Sequence, residues 1–128
     1  MLDLKDPTLL RHHAYVDGRW IHADTGEAFA VTNPADGSVI ARVASAGAQE
    51  TRRAIEAAAR ALPAWRARTA KERGAILKTW HQLILAATDD LAVLMTAEQG
   101  KPLAEARGEV AYGAAFIEWY AEEAKRVY

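Results

Sequence analysis

Residues 103–128 read LAEARGEVAYGAAFIEWYAEEAKRVY. At 3.6 residues per turn this run carries two apolar faces. Leu103, Val110, Ala114, Ile117, Ala121 and Ala124 make one stripe. Tyr112, Phe116 and Trp119 recur at i, i+4 and i+7 on another, and Tyr120 lies between the two sets. A helix that is apolar over most of its circumference is a buried helix. The run closes on Arg126-Val127-Tyr128, with no Gly, Asn or Pro to stop it. The spacing predicts a helix over about 103–128 that needs cover on both sides.

Working back from it, three shorter helices precede this one. Gly100 followed by Pro102 is a stop signal for the third. Thr88 is its expected cap, with Asp89 and Asp90 in the positive first turn and Leu91, Leu94 and Met95 on its core face. The second opens on a capping box, Thr69-x-x-Glu72, and its stripe is Ile76, Leu77, Trp80, Leu83, Ile84 and Ala87. The first spans about 48–62 and ends at Pro63. Thr51, Ile55, Ala58 and Leu62 are its apolar stripe, while Arg52, Glu56 and Arg60 pair at i,i+4 on the wet side. Two glycines fall inside these helices. Gly74 should cost roughly 1 kcal/mol relative to Ala, and Gly113 is expected to mark close packing.

Residues 1–46 read as strands and turns. Asp6-Pro7 caps a single helical turn through Arg11. Asp17-Gly18 joins strands 14–16 and 19–21 as a two-residue hairpin. Turns at 24–26 and 33–37 bracket a strand at 28–31, and a further strand covers 38–43. These strands are too few and too short for an independent sheet. The expected fold is mainly α: four helices in 47–128 behind a short antiparallel strand-rich arm in 1–46. Three short helices can cover one side of the fourth but not both. The uncovered side points to a missing partner subunit or to the rest of a longer chain.

Composition narrows the functions. The chain has 128 residues, of which 51% are apolar and 26% charged, an ordinary globular balance. Sixteen Lys+Arg face seventeen Asp+Glu, for a net charge of −1. Nothing in that balance attracts a nucleic acid or an anionic membrane. There is no Cys, which excludes a disulfide scaffold, a zinc–thiolate site and a thiol nucleophile within this chain. The N-terminus has no secretory pattern and no apolar run is long enough to span a bilayer, so a cytoplasmic setting is expected.

Motifs are mostly absent. No Gly-x-Gly-x-x-Gly follows a strand, and Gly100-Lys101 precedes Pro102 rather than Ser or Thr. His12, His13 and His22, with Asp17 or Asp24, could in principle ligate a metal, but solvated histidines before a strand are the expectation, and no metal site is assigned. His81 falls on the polar side of its helix and is expected to be solvated. Glu118, Glu122 and Glu123 lie beside Lys125 and Arg126 and read as a wet helix face rather than an acid–base pair. Tyr112, Phe116 and Trp119 either line an apolar ligand channel or pack against a missing surface. The residues alone favour packing.

Several stretches then carry a resemblance. Tyr15-Val16-Asp17-Gly18-Arg19-Trp20 and Val31-Thr32-Asn33-Pro34-Ala35-x-Gly37 resemble the start of an aldehyde dehydrogenase. Ala61-Leu62-Pro63-Ala64-Trp65-Arg66, Thr69-Ala70-Lys71-Glu72-Arg73, residues 94–106 and Phe116-Ile117-Glu118-Trp119 are most similar to the bacterial succinate-semialdehyde dehydrogenases of 4-aminobutyrate catabolism. The related glutarate-semialdehyde enzymes read the same way here. The resemblance implies an α/β parent fold, of which these residues are the N-terminal part of the cofactor-binding domain. In that family a Cys thiolate attacks the aldehyde, the thiohemiacetal gives a hydride to NAD or NADP, and a Glu-activated water frees the acid. Those groups come later than this segment. The implied chain therefore has no catalytic and no cofactor-binding residue and binds no cofactor alone. The resemblance implies that Tyr112 looks into the aldehyde tunnel, with Phe116 one turn on. It also matches Val31 and Glu98 to main-chain positions that hold a monovalent cation in some members. The expected partners are the rest of the dehydrogenase chain or another copy through helix 103–128, as a homo-oligomer. The alternative is a self-associating helical module without catalysis.

Overall fold

The computed structural model describes residues 2–126; Met1, Val127 and Tyr128 lie outside the described residues. The final helix ends at Glu123, with residues 124–126 already out of helix before the expected end at about 128. The element order is a 3-10 turn at Pro7–Leu9, then β1 (Ala14–Val16), β2 (Arg19–Ile21), β3 (Ala28–Thr32), β4 (Val39–Ala44), α1 (Ala48–Ala67), α2 (Ala70–Ala86), α3 (Thr88–Gln99) and α4 (Leu103–Glu123). The mainly helical expectation, with four helices behind an antiparallel strand region, is what the chain adopts.

The strands form two separate hairpins, β1 with β2 and β3 with β4. The first turns on Asp17 (φ 51°) and Gly18 (φ 75°), the two positive φ values that a two-residue turn of right-handed twist requires. The second carries an irregularity between Val31 and Thr32. The Ala44 N–H donates to the His12 carbonyl at 2.9 Å and ties the two together. The opening turn is capped by Asp6 as expected, but it ends at Leu9 rather than Arg11.

α1 corrects three expectations. It runs through Pro63 to Ala67. The Ala59 carbonyl, four residues back, loses its helical donor at Pro63, but both residues are exposed and water replaces the bond. The expected stripe faces outward: Ile55 is 65% exposed and Leu62 51%. The expected Arg52–Glu56–Arg60 pairs are replaced by longer-range ones. The buried face is instead Glu50 and Ala57, with Ala54 half-buried between them. Polar hooks set that rotation. The Glu50 carboxylate accepts the Asp24 N–H at 2.6 Å and the Gly47 N–H at 3.0 Å. Arg53 donates to both Asp24 carboxylate oxygens through its two terminal nitrogens, Nη1 and Nη2, and Arg60 reaches Asp17.

α2 begins at the expected capping box, with the Thr69 and Glu72 side chains serving each other's backbone N–H. Of its expected stripe, Leu77, Ile84 and Ala87 turn inward, while Ile76, Trp80 and Leu83 stay exposed. Gly74 is the buried member. Thr88 does not cap α3. A one-residue link, Ala87, places it inside the helix, and its hydroxyl donates to the Leu85 carbonyl at 2.7 Å. Asp89 and Asp90 occupy the first turn as expected, and Asp90 accepts the N–H groups of Lys5 and Asp6. Leu94 is buried, but Leu91 and Met95 are only half-buried; Ala92 and Ala97 complete the inner face. Gly100 closes α3 in the left-handed conformation, φ 74°.

α2 and α3 both pack on α4. The buried apolar residues among those described are alanines apart from Leu94 and Val110. Small side chains let helix axes approach closely but bury little apolar area each.

Candidate functional site

The outer face of α4 is the one surface on which the sequence placed candidate site residues. The helix buries Ala106, Val110, Ala114 and Ala121. About half a turn round, Tyr112, Phe116 and Trp119 project outward. Tyr112 is 67% exposed, Trp119 63% and Phe116 47%. The Tyr112 and Phe116 rings meet edge to face, centroids 4.9 Å apart, a favoured aromatic arrangement. With Ala115 and Tyr120 they line an open depression of about 400 Å³. All five residues belong to one helix, so the depression is open and walled on one side only.

The rim of this face is charged. The Glu122 carboxyl is held below the ordinary carboxylate range, first by its hydrogen bond from Lys78 and then by Lys125. Glu123 pairs with Arg126. These carboxylates are occupied by cations, in agreement with a solvated helix face and not with an acid–base pair. Away from this face, Asp89 of α3 is likewise held low by Lys5 and by Arg107, which reaches it from α4.

Only two of the histidine rings come together. His13 and His22 meet edge to face at 4.1 Å, while the His12 ring lies against the Arg42 carbonyl. Asp17 and Asp24 are taken up by Arg60 and Arg53. Among the described residues no three His, Asp or Glu groups converge as metal ligands. Val31 is half-buried in β3 and Glu98 is exposed near the end of α3; the β3–β4 turn comes close to that end, where a Cβ on Gly100 would meet Pro34 at 3.1 Å.

Two expectations are corrected at the α2–α4 contact. His81 is not solvated; it is half-buried, and its Nδ1 lies 2.9 Å from the Ala114 carbonyl. Gly113 does not mark close packing, since a Cβ there would meet nothing within 4 Å. Gly74 does: a Cβ there would stand 2.9 Å from the Ala121 carbonyl oxygen. No helix among the described residues is long and apolar enough to cross a membrane.

Comparison with known proteins places this geometry. The sequence profile of the aldehyde dehydrogenase family matches residues 20–128. The glutarate-semialdehyde dehydrogenase of Pseudomonas putida is 62% identical over 99% of the chain, and the NADP+ succinate-semialdehyde dehydrogenase of Escherichia coli is 58% identical over 99%. Each match covers 26% of the relative, so the chain spans about a quarter of the length of these enzymes. A crystal structure of an aldehyde dehydrogenase from Brucella melitensis biovar abortus superposes with a TM-score of 0.98 at 61% identity, over 100% of this chain and 26% of that one. On the profile match and on the superposition of all its elements, the chain belongs to the aldehyde dehydrogenase family.

Proposed function

We propose that these residues are the N-terminal part of the cofactor-binding domain of an NAD(P)-dependent semialdehyde dehydrogenase. Its reaction is the oxidation of a short carboxylated aldehyde, succinate or glutarate semialdehyde, to the diacid. Residues 1–46 and 47–128 form one partial domain in this reading. The observation that carries it is the outer face of α4, whose aromatic side chains stand uncovered in a chain that spans a quarter of its relatives. Tyr112 and Phe116 are assigned to the wall of the aldehyde tunnel. Their rings offer apolar surface and a single phenolic hydroxyl, suited to a flexible aldehyde chain and unsuited to chemistry. With no Cys in the sequence, the chain by itself has no thiol nucleophile and is inactive.

A direct assay tests this. The chain alone, with succinate semialdehyde and either nicotinamide cofactor, should give no reduced cofactor. Joined to the remaining three-quarters of the E. coli succinate-semialdehyde dehydrogenase, it should support turnover. Cofactor reduction by the chain alone, or a folded but inactive hybrid, contradicts the reading.

The same exposed face supports a second reading, association of copies through α4 or with full-length subunits. An uncovered apolar patch of this kind drives association. Light scattering that finds a clean monomer at high concentration contradicts it.

A further inference from the structure

α2 meets α4 at two points on the α4 backbone, besides the Lys78–Glu122 ion pair between their side chains. Gly74 faces the Ala121 carbonyl, where a Cβ would stand at 2.9 Å. Seven residues on, two helical turns later, the His81 ring reaches the Ala114 carbonyl, which lies seven residues before Ala121. The two contacts run antiparallel and in register. A carbonyl oxygen only accepts, so the ring nitrogen at 2.9 Å donates through an Nδ1–H, which excludes the form protonated at Nε2 alone. The Ala114 oxygen has a second lone pair, so it takes this bond without losing its place in α4.

The consequence lies on the opposite face. At 100° per residue, Tyr112 and Phe116 sit about 160° round the helix from Ala114, one to either side of the diametric line. A turn of α4 about its own axis moves their rings by the same angle. The Lys78–Glu122 pair joins long, half-exposed side chains that can follow a small turn. Leu77 and Ile84 are half-buried on α2, but apolar contact is non-directional and tolerates rotation. The carbonyl hydrogen bond is directional and does not.

We propose that His81 is a positioning residue: by holding the Ala114 carbonyl it sets the rotation of α4 and so the placement of the Tyr112–Phe116 wall. This rests on the tunnel reading above. It adds a residue that touches neither aldehyde nor cofactor and that controls how the aldehyde is received.

The test uses the full-length hybrid whose first quarter is this chain, and its turnover before any substitution decides the tunnel reading separately. His81→Leu should raise KM for succinate semialdehyde roughly fivefold, the size of one lost hydrogen bond. Its kcat and its KM for the cofactor should stay within about twofold. His81→Asn places an amide N–H near the Nδ1 position and should restore the aldehyde KM. A readout without activity accompanies it. Nitrogen-edited spectra of the 128-residue chain should show His81 as a single Nδ1–H tautomer with a slowly exchanging ring proton. Equal losses in Leu and Asn variants, a fall in kcat with KM unchanged, or a rapidly exchanging tautomer mixture at His81 would overturn the proposal.

Discussion

The two faces of α4 are built on opposite rules. The inner face is small: Ala114 and Ala121 are essentially inaccessible, and the neighbouring helix comes close enough to touch backbone. The outer face is large and bare, with Tyr112, Phe116, Trp119 and Tyr120 all in solvent. Water-avoiding area is therefore greatest where cover is least. Close approach fixes geometry without burying much surface, whereas the aromatic face holds its hydrophobic stabilisation in reserve for whatever covers it. One face specifies position and the other leaves apolar surface uncovered.

Substitutions at two glycines break or sharpen that contrast, because the same change should have opposite signs. Gly74→Val drives a branched side chain into the Ala121 carbonyl and should destabilise the chain by about 3 kcal/mol, read from urea denaturation. Gly74→Ala should also destabilise, although Ala is the better helix former. Gly113→Ala meets open space, so helix propensity alone acts, and it should stabilise by about 0.5–1 kcal/mol. Equal signs at the two positions would erase the distinction between the faces.

The outer aromatics give a smaller effect on stability and a separate one on association. Trp119→Ser should leave unfolding within about 0.5 kcal/mol of the parent chain. It should also shift sedimentation toward monomer, because it removes the largest exposed ring from the patch. A large loss of stability would mean that Trp119 is already packed.

The smallest effect belongs to the charged rim. Glu122 is held low by Lys78 and Lys125, and Asp89 by Lys5 and Arg107. Between its folded and its unfolded pKa such a carboxyl binds fewer protons folded than unfolded, so stability there rises with pH. The contribution is complete above the ordinary carboxylate range, about pH 4, and disappears as pH falls through the depressed folded values. Exposed pairs are screened, so added salt should flatten this acid limb of the melting curve. A limb unchanged by Glu122→Gln and Asp89→Asn together would remove these groups from the account.

Much of the fold is legible along the chain wherever a local rule fixes backbone geometry. Asp17-Gly18 specifies its hairpin, Thr69 and Glu72 specify a helix start, and Gly100 specifies a helix end. What escapes is rotation about a helix axis. Ile55 and Leu62 mark an apolar stripe on α1, yet Glu50, Arg53 and Arg60 bind partners across the strands and turn that stripe outward. Pro63 signals a stop that an exposed helix passes through, since hydration replaces the missing bond. At the candidate site, periodicity identifies Tyr112 and Phe116 as one face but says nothing of what meets them. His81 reads as polar and outward from composition. Its seven-residue spacing from Gly74 was the available signal, and it becomes meaningful only with the α4 backbone alongside.

The central claim is that this chain is the scaffold quarter of a semialdehyde dehydrogenase. The DNA immediately downstream of the Tyr128 codon tests it most directly. The account predicts an open frame that continues into a nucleotide-binding segment and then a Cys codon in the catalytic part. A stop codon directly after Tyr128 would contradict it and leave the exposed face of α4 as a surface for association alone.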